Sequence, residues 1–298
     1  EKYRFLRWPL FRGIIVLIES MVNGISALHF SANQAIVEEV SKPADSPKSK
    51  ESKAKHSAIN DVAIASSIGV AFVFGMGLFV FLPHLITDLI ERYLQVGMTI
   101  DSMSFHLVDG IIKIGIFLAY VILISQHKEI RRVFEYHGAE HKSIFAYENR
   151  VPLTVEEVRK FTTYHPRCGT SFVIMVLLIS IFVFSAVYPF LPHFEGMNKF
   201  AKGFLLIFIK IPLLFPVAGL SYEIIRFAGN HPESRLLHFI ISPGLWLQRI
   251  TTKNPSDDQL EVAIVSIKSA LLMEQELGTQ IPPEYTREVI DPHVQKVS

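Results

Sequence analysis

Residues 170–191 read TSFVIMVLLISIFVFSAVYPFL, a run from Thr170 to Leu191 without one charged side chain, closed by Pro192. A bilayer hydrocarbon core about 30 Å thick is crossed by roughly 20 apolar residues in helical form. In lipid, a lone segment must satisfy its own backbone polar groups, which a helix does. The stretch therefore predicts a membrane-spanning helix. Three more stretches have the same character: 62–82, ending before Pro83; 105–125, which carries Asp109 and Lys113; and 200–226, which carries Lys210, Pro212, Pro216 and Glu223. The expected fold is an all-α membrane protein, a single membrane domain over 1–298 with about four transmembrane helices.

Composition agrees with lipid as the solvent. Half of the 298 residues are hydrophobic (50%), only 19% are charged, and 23 are Phe, too apolar for an ordinary soluble domain of this size. The single cysteine, Cys168, excludes an intramolecular disulfide and leaves its thiol available as ligand, nucleophile or packing. The basic residues are too dispersed and too closely tied to membrane segments to argue nucleic-acid binding; membrane lipids are the expected partners.

The distribution of charge sets an orientation. Connection 83–104 holds only Arg92 and connection 192–199 only Lys199, whereas 127–169 holds Lys128, Arg131, Arg132, Lys142, Arg150, Arg159, Lys160 and Arg167. Cytoplasmic loops retain positive charge. The expectation is a multi-pass protein of the bacterial inner (cytoplasmic) membrane, with the 127–169 loop and the 227–298 tail in the cytoplasm. Within residues 1–40, the stretch Phe5 to Phe30 is apolar but has Arg4, Arg7 and Arg12 at its start and a Lys-rich sequel, and it reads as an interfacial or re-entrant helix with Trp8 at headgroup level, a fifth span being the alternative. The Lys-rich stretch 41–57 has no apolar period and reads as a flexible linker.

Within the cytoplasmic loop, Ile130, Val133, Phe134, His137, His141, Ile144, Phe145 and Glu148 recur at spacings of three and four, predicting one buried face of an amphipathic helix. Thr154 and Glu157 suggest a capping box for a short second helix. Leu236 to Ile250 reads as an apolar stretch lying on the membrane, interrupted by Pro243-Gly244. Residues 256–276 read as a last amphipathic helix capped by Ser256.

The chemistry concentrates in one place. His137-Gly138-Ala139-Glu140-His141 puts two imidazoles and a carboxylate on one side of a helix. It has the H-x-x-E-H spacing of inverted zinc peptidases, in which the two His hold zinc and the Glu acts as base. His165 and Cys168, three residues apart before the third span, add an imidazole and a thiol. This donor set suits Zn²⁺ or Fe²⁺ better than Mg²⁺. The candidate metal ligands are therefore His137, His141, His165, Cys168 and Glu223, the last near the inner end of the fourth span. Glu140 is the candidate general base and Arg167 a candidate oxyanion or phosphate contact. A closed structural shell of His137, His141, His165 and Cys168, and an interfacial pair of Glu223 with Arg226, stand as plainer alternatives. In the outer half, Asp109 and Lys113 are expected to neutralise each other, with Asp109 also available to Lys210.

The blocks Trp8-Pro9-Leu10-Phe11-Arg12-Gly13, Tyr136 to Lys142, His165 to Phe172, and Pro243 to Thr252 followed by Glu261-Val262-Ala263 resemble the YqhQ-like family of uncharacterised bacterial polytopic membrane proteins. The resemblance implies a membrane location and a metal-dependent enzyme of unknown substrate. It supplies no reaction. The leading functional expectation is a metal-dependent hydrolase at the cytoplasmic membrane face. A non-catalytic scaffold or accessory factor with a structural metal is the alternative, and a transporter is a third reading, motivated by Asp109, Lys113 and Lys210.

Overall fold

The computed structural model describes residues 8–41, 66–98, 102–187, 190, 199–231, 233–278 and 285. Every regular element among them is helical: α1 Phe11–Ser41, α2 Ser66–Leu94, α3 Met103–Ile124, α4 Lys128–Glu148, α5 Val155–Val158, α6 Gly169–Val187, α7 Lys199–Gly229, α8 Arg235–Thr251 and α9 Asp257–Glu276. Of the linker expected at 41–57, Ser41 ends α1 and 42–57 lie outside the described residues; of the connection 192–199, Lys199 starts α7 and the rest lies outside them.

Among the described residues, five helices are long and apolar enough to cross a membrane: Phe11–Ser31, Ser66–Leu94, Met103–Ile124, Gly169–Val187 and Ile211–Gly229. Four correspond to the expected spans. The fifth is the N-terminal helix, whose apolar run therefore fits a crossing by length and composition as well as an interfacial placement.

Prolines expected to end helices are absorbed instead. α2 does not stop before Pro83, because Gly77–Phe81 widens into a π turn in which the Leu82 N–H bonds to the Gly77 carbonyl. The wide turn makes room for a ring that would otherwise clash one turn back and for the missing donor. α7 runs through both Pro212 and Pro216. α8 also continues through Pro243-Gly244, contrary to the expected interruption. The Phe239 carbonyl, left without an amide partner by Pro243, accepts a 2.7 Å hydrogen bond from the Ser242 hydroxyl.

The chain divides into two units, Glu1–Ile116 with Val176–Glu223, and Phe117–Met175 with Ile224–Ser298. In the first, the start of α1 is seated on α7. Leu10 takes a left-handed backbone (φ 76°), and its carbonyl oxygen lies 2.7 Å from where a Cβ on Gly219 would stand. Only glycine tolerates that approach. Next to it Gly13 meets Tyr222, and the Arg12 guanidinium grips the Glu223 carboxylate with both prongs, Nε donating to Oε1 at 2.6 Å. Elsewhere in this unit Gly110 of α3 faces Ile181 of α6 closely enough that a Cβ would meet its side chain at 2.3 Å. The Lys113 ammonium donates to Asp109 at 3.4 Å, as their spacing predicts, with the His84 ring 3.8 Å from the same carboxylate. The side chain of Lys210 lies outside those described.

In the second unit α4 packs on α9. The core comprises Ala139 and Ala146 of α4, Leu153 and Val158 around α5, Leu260, Ile264 and Leu271 of α9, and Tyr285, whose hydroxyl donates to the Val151 carbonyl at 2.8 Å. The buried face of α4 is therefore rotated from the one its larger apolar residues suggest. Gly138, Ala139, His141, Lys142, Ser143 and Ala146 are buried, while Val133 is exposed. Small side chains win this face because they let two backbones approach. α9 starts with a reciprocal capping box between Ser256 and Gln259. The box expected at Thr154 does not form, since Glu157 turns to Lys160 at 2.5 Å.

The seating of α1 has a direct test. Gly219→Ala should destabilise the protein by roughly 1–3 kcal/mol through overpacking against backbone, read as a lower thermal midpoint in detergent micelles. Gly24→Ala, which meets nothing within 4 Å, should leave that midpoint unchanged or slightly raised.

Candidate metal centre

His137 and His141 project from α4 one turn apart, with ring centroids separated by 4.4 Å in an edge-to-face arrangement. The residue between them that controls their surroundings is Gly138. A Cβ there would stand 2.0 Å from the Lys253 carbonyl oxygen, so the chain leaving α8 lies directly against α4. The Lys253 N–H then donates to the Phe134 carbonyl at 2.9 Å. This contact brings the Thr251 carbonyl to His137, whose Nδ1–H donates to it at 2.9 Å.

His141 is fixed in the same way from the other side, Nδ1–H donating to the Thr163 carbonyl at 2.5 Å. With both Nδ1 atoms committed to backbone carbonyls, each ring offers Nε2 to a ligand, the arrangement that commonly orients metal-binding imidazoles. Cys168 completes the group. Its Sγ lies 3.2 Å from His137 Nε2, and one ligand atom each from His137, His141 and Cys168 lies within 4.8 Å of the others.

Electrostatics in the cluster favour a thiolate. Burial pushes the Cys168 thiol up, but hydrogen bonds from His137, His141 and Thr170, with the charge on His137, outweigh it and bring the thiol down to about 5. For His137, burial favours the neutral ring, and contact with the Cys168 sulfur, the Thr251 carbonyl and the charge of Glu140 more than compensate, so it titrates above its ordinary value. Each shift favours the charged form of its group, thiolate on Cys168 and imidazolium on His137.

The remaining expected site residues have other partners. His165 is buried beside the cluster, 5.7 Å from the His141 ring, but its Nε2 donates to Glu148 at 3.2 Å and its Nδ1 accepts from the Arg167 amide at 3.3 Å. Desolvation lowers its pKa despite the Glu148 carboxylate, so it stays neutral. Arg167 donates to the other Glu148 oxygen at 2.8 Å, making Glu148 a bridge between the two. Glu140 is exposed, close enough to His137 for its charge to be felt. Glu223 pairs with Arg12 in the first unit.

Comparison with known proteins places this arrangement in a family. A model of proteins of unknown function, DUF1385, matches residues 8–273. The chain belongs to the DUF1385 family. It is 31% identical over 267 residues to the uncharacterized protein YqhQ of Bacillus subtilis (strain 168), covering 89% of this chain and 78% of that relative. No solved structure matches.

Two supports of the centre in this DUF1385 protein escape a reading of the sequence. Gln248, fully buried on α8, uses its amide to accept from the His165 N–H at 2.7 Å and to donate to the His165 carbonyl and the Ser171 hydroxyl, each at 2.7 Å. It thereby fixes the turn that carries Cys168. Lys142, buried on α4, donates to the Arg159 carbonyl at 2.9 Å and to that of Phe161, tying down the chain before Thr163. Burial lowers its pKa. A long polar residue on a helix face that otherwise buries small groups is the only sequence signal for either. Two threonines at the end of α8 lie beside the cluster, of which Thr251 lines it. Thr251 does so through its carbonyl, while the Thr252 hydroxyl donates to the Gln248 carbonyl at 2.7 Å.

Gln248→Leu should leave buried backbone groups of His165 without partners, at a cost of about 1–3 kcal/mol each. Maleimide labelling of Cys168, slow in the parent because the thiol is buried, should accelerate in this variant. Gly138→Ala should have the same effect by pushing the Thr251–Lys253 segment off α4. Unchanged labelling rates in both variants would contradict the packing described.

Proposed function

We propose that this protein is a metal-dependent hydrolase of the bacterial cytoplasmic membrane that holds one zinc ion through His137, His141 and Cys168 at the cytoplasmic face. The observation that carries the reading is the convergence of one ring nitrogen each from His137 and His141 with the Cys168 sulfur within 4.8 Å, with both Nδ1 atoms turned to backbone carbonyls. Imidazole and thiolate donors suit zinc. Three protein ligands leave a fourth tetrahedral position, the pattern of a catalytic rather than a structural site. Engagement of His165 by Glu148 and the Arg167 amide argues against the closed four-residue shell.

Bound zinc would supply Lewis acidity and an activated water. Glu140, exposed and one turn after His137, next in the chain to His141, is assigned the role of general base. Arg167, steadied by Glu148, offers positive charge to an anionic substrate group. Orientation follows from the Lys and Arg content of the 127–169 loop. A second reading, Cys168 as a nucleophile poised by His137, is favoured by their 3.2 Å contact.

Elemental analysis of the purified protein should find about one zinc per chain. His141→Ala and Cys168→Ala should each abolish binding, whereas Glu140→Gln should retain the metal and lose cellular function. Function preserved in Glu140→Gln would favour a structural metal in a scaffold. Metal-free protein whose function requires Cys168 would favour the nucleophile. Cysteines introduced at positions 95 and 195 should label from outside the cell, and labelling only from the cytoplasm would overturn the orientation.

A further inference from the structure

The second unit contains a cavity of about 830 Å³ between the end of α7, the helix α8 and the irregular segment 162–166. Among the described residues, its walls carry Tyr164, His231, His238, Trp246 and Arg249, and no acidic residue lines it. The guanidinium, the phenol and the indole N–H are all donors. They sit beside apolar groups contributed by Ile241, Pro243 and Leu245.

The segment 162–166 is used on both of its sides. Thr163 and His165 are buried, one holding His141 through its carbonyl and the other packed against the cluster, whereas Thr162 and Tyr164 are exposed and line the cavity. Burial alternates along this irregular segment, Thr162 and Tyr164 exposed and Thr163 and His165 buried. The cavity and the metal cluster thus share one wall a single chain thick.

α8 also carries an exposed apolar ridge. Leu236, Phe239 and Trp246, at spacings of three and seven, are 69%, 75% and 47% exposed. They follow one side of the helix, and Trp246 belongs to ridge and cavity at once. A tryptophan joining an apolar ridge to a polar pocket suits the boundary between acyl chains and headgroups.

We infer that this cavity is a binding site for the headgroup of an anionic phospholipid, whose phosphate is held by Arg249 with Tyr164 and Trp246 and whose acyl chains leave along Leu236 and Phe239. The occupant follows from charge complementarity, a wall with cationic and neutral donors and no carboxylate, and from continuity with an apolar ridge that a water-soluble phosphate ester would not need. The site stands apart from the metal reading and does not depend on it.

Trp246 is the natural reporter once Trp8→Phe removes the other tryptophan. Phosphatidylglycerol with brominated acyl chains, added in small excess to the full chain in detergent, should quench Trp246 fluorescence at a concentration roughly fivefold lower than brominated phosphatidylcholine. Arg249→Gln should remove the preference and Arg249→Lys should largely keep it. Glycerol 3-phosphate should not compete. Equal quenching by the two lipids would overturn the proposal, as would a preference surviving Arg249→Gln, or displacement by glycerol 3-phosphate, which would mark a site for a free phosphate ester. Zinc content measured on the same samples separates this outcome from failure of the metal site.

Discussion

The contact between the Gly138 backbone and the Lys253 carbonyl is the constraint on which the architecture of the 127–169 segment turns. Helices approach this closely only where a side chain is missing, and here the approach is between a helix face and the chain that has just left another helix. It converts the end of α8 into a hydrogen-bonding rail for α4. The Lys253 amide bonds Phe134 and the Thr251 carbonyl bonds His137, so the orientation of one imidazole is set by backbone rather than by a mobile side chain. His141 is held by the Thr163 carbonyl. Two rings on successive turns are thereby presented with the same nitrogen outward.

Polar groups buried around this rail serve as positional devices. An amide such as Gln248 gains little net stability from bonding inside a protein, yet leaving its partners unmet is costly, so it imposes a single position on the turn from His165 to Cys168. Lys142 does the same for the chain ahead of Thr163. Opposite the histidines, α4 buries Ala139 and Ala146 against α9. One helix therefore presents a packing face and a chemical face, and both rely on small residues. In the first unit the same device recurs at Gly219 and Gly13, where the start of α1 docks on α7 beside the Arg12–Glu223 pair.

Much of this was legible from local pattern. The charge-free run at 170–191, the spacing of His137 and His141, the capped final helix and the Asp109–Lys113 pair all follow from period, length or turn chemistry, which act over a few residues. The misreadings share a cause. Pro83 and Pro243 looked like breaks because a missing donor is a local defect, whereas its remedy depends on neighbours: a π turn in α2 and the Ser242 hydroxyl in α8. The buried face of α4 was assigned to its largest apolar residues, and a close helix–helix approach favoured its smallest. Arg12 and Glu223 lie 211 positions apart, beyond any periodicity.

The sequence by itself determined that this chain is a helical membrane protein and which residue types could serve a metal, because hydrophobic length and helical spacing are properties of single segments. Only the tertiary structure decided which donors meet. His137, His141 and Cys168 converge while His165 is claimed by Glu148, and Glu223 by Arg12. The reason is physical: a side chain's partner is set by competition among all groups that packing brings within hydrogen-bond reach, and in this fold that competition is settled by glycine contacts and buried amides contributed from distant parts of the chain.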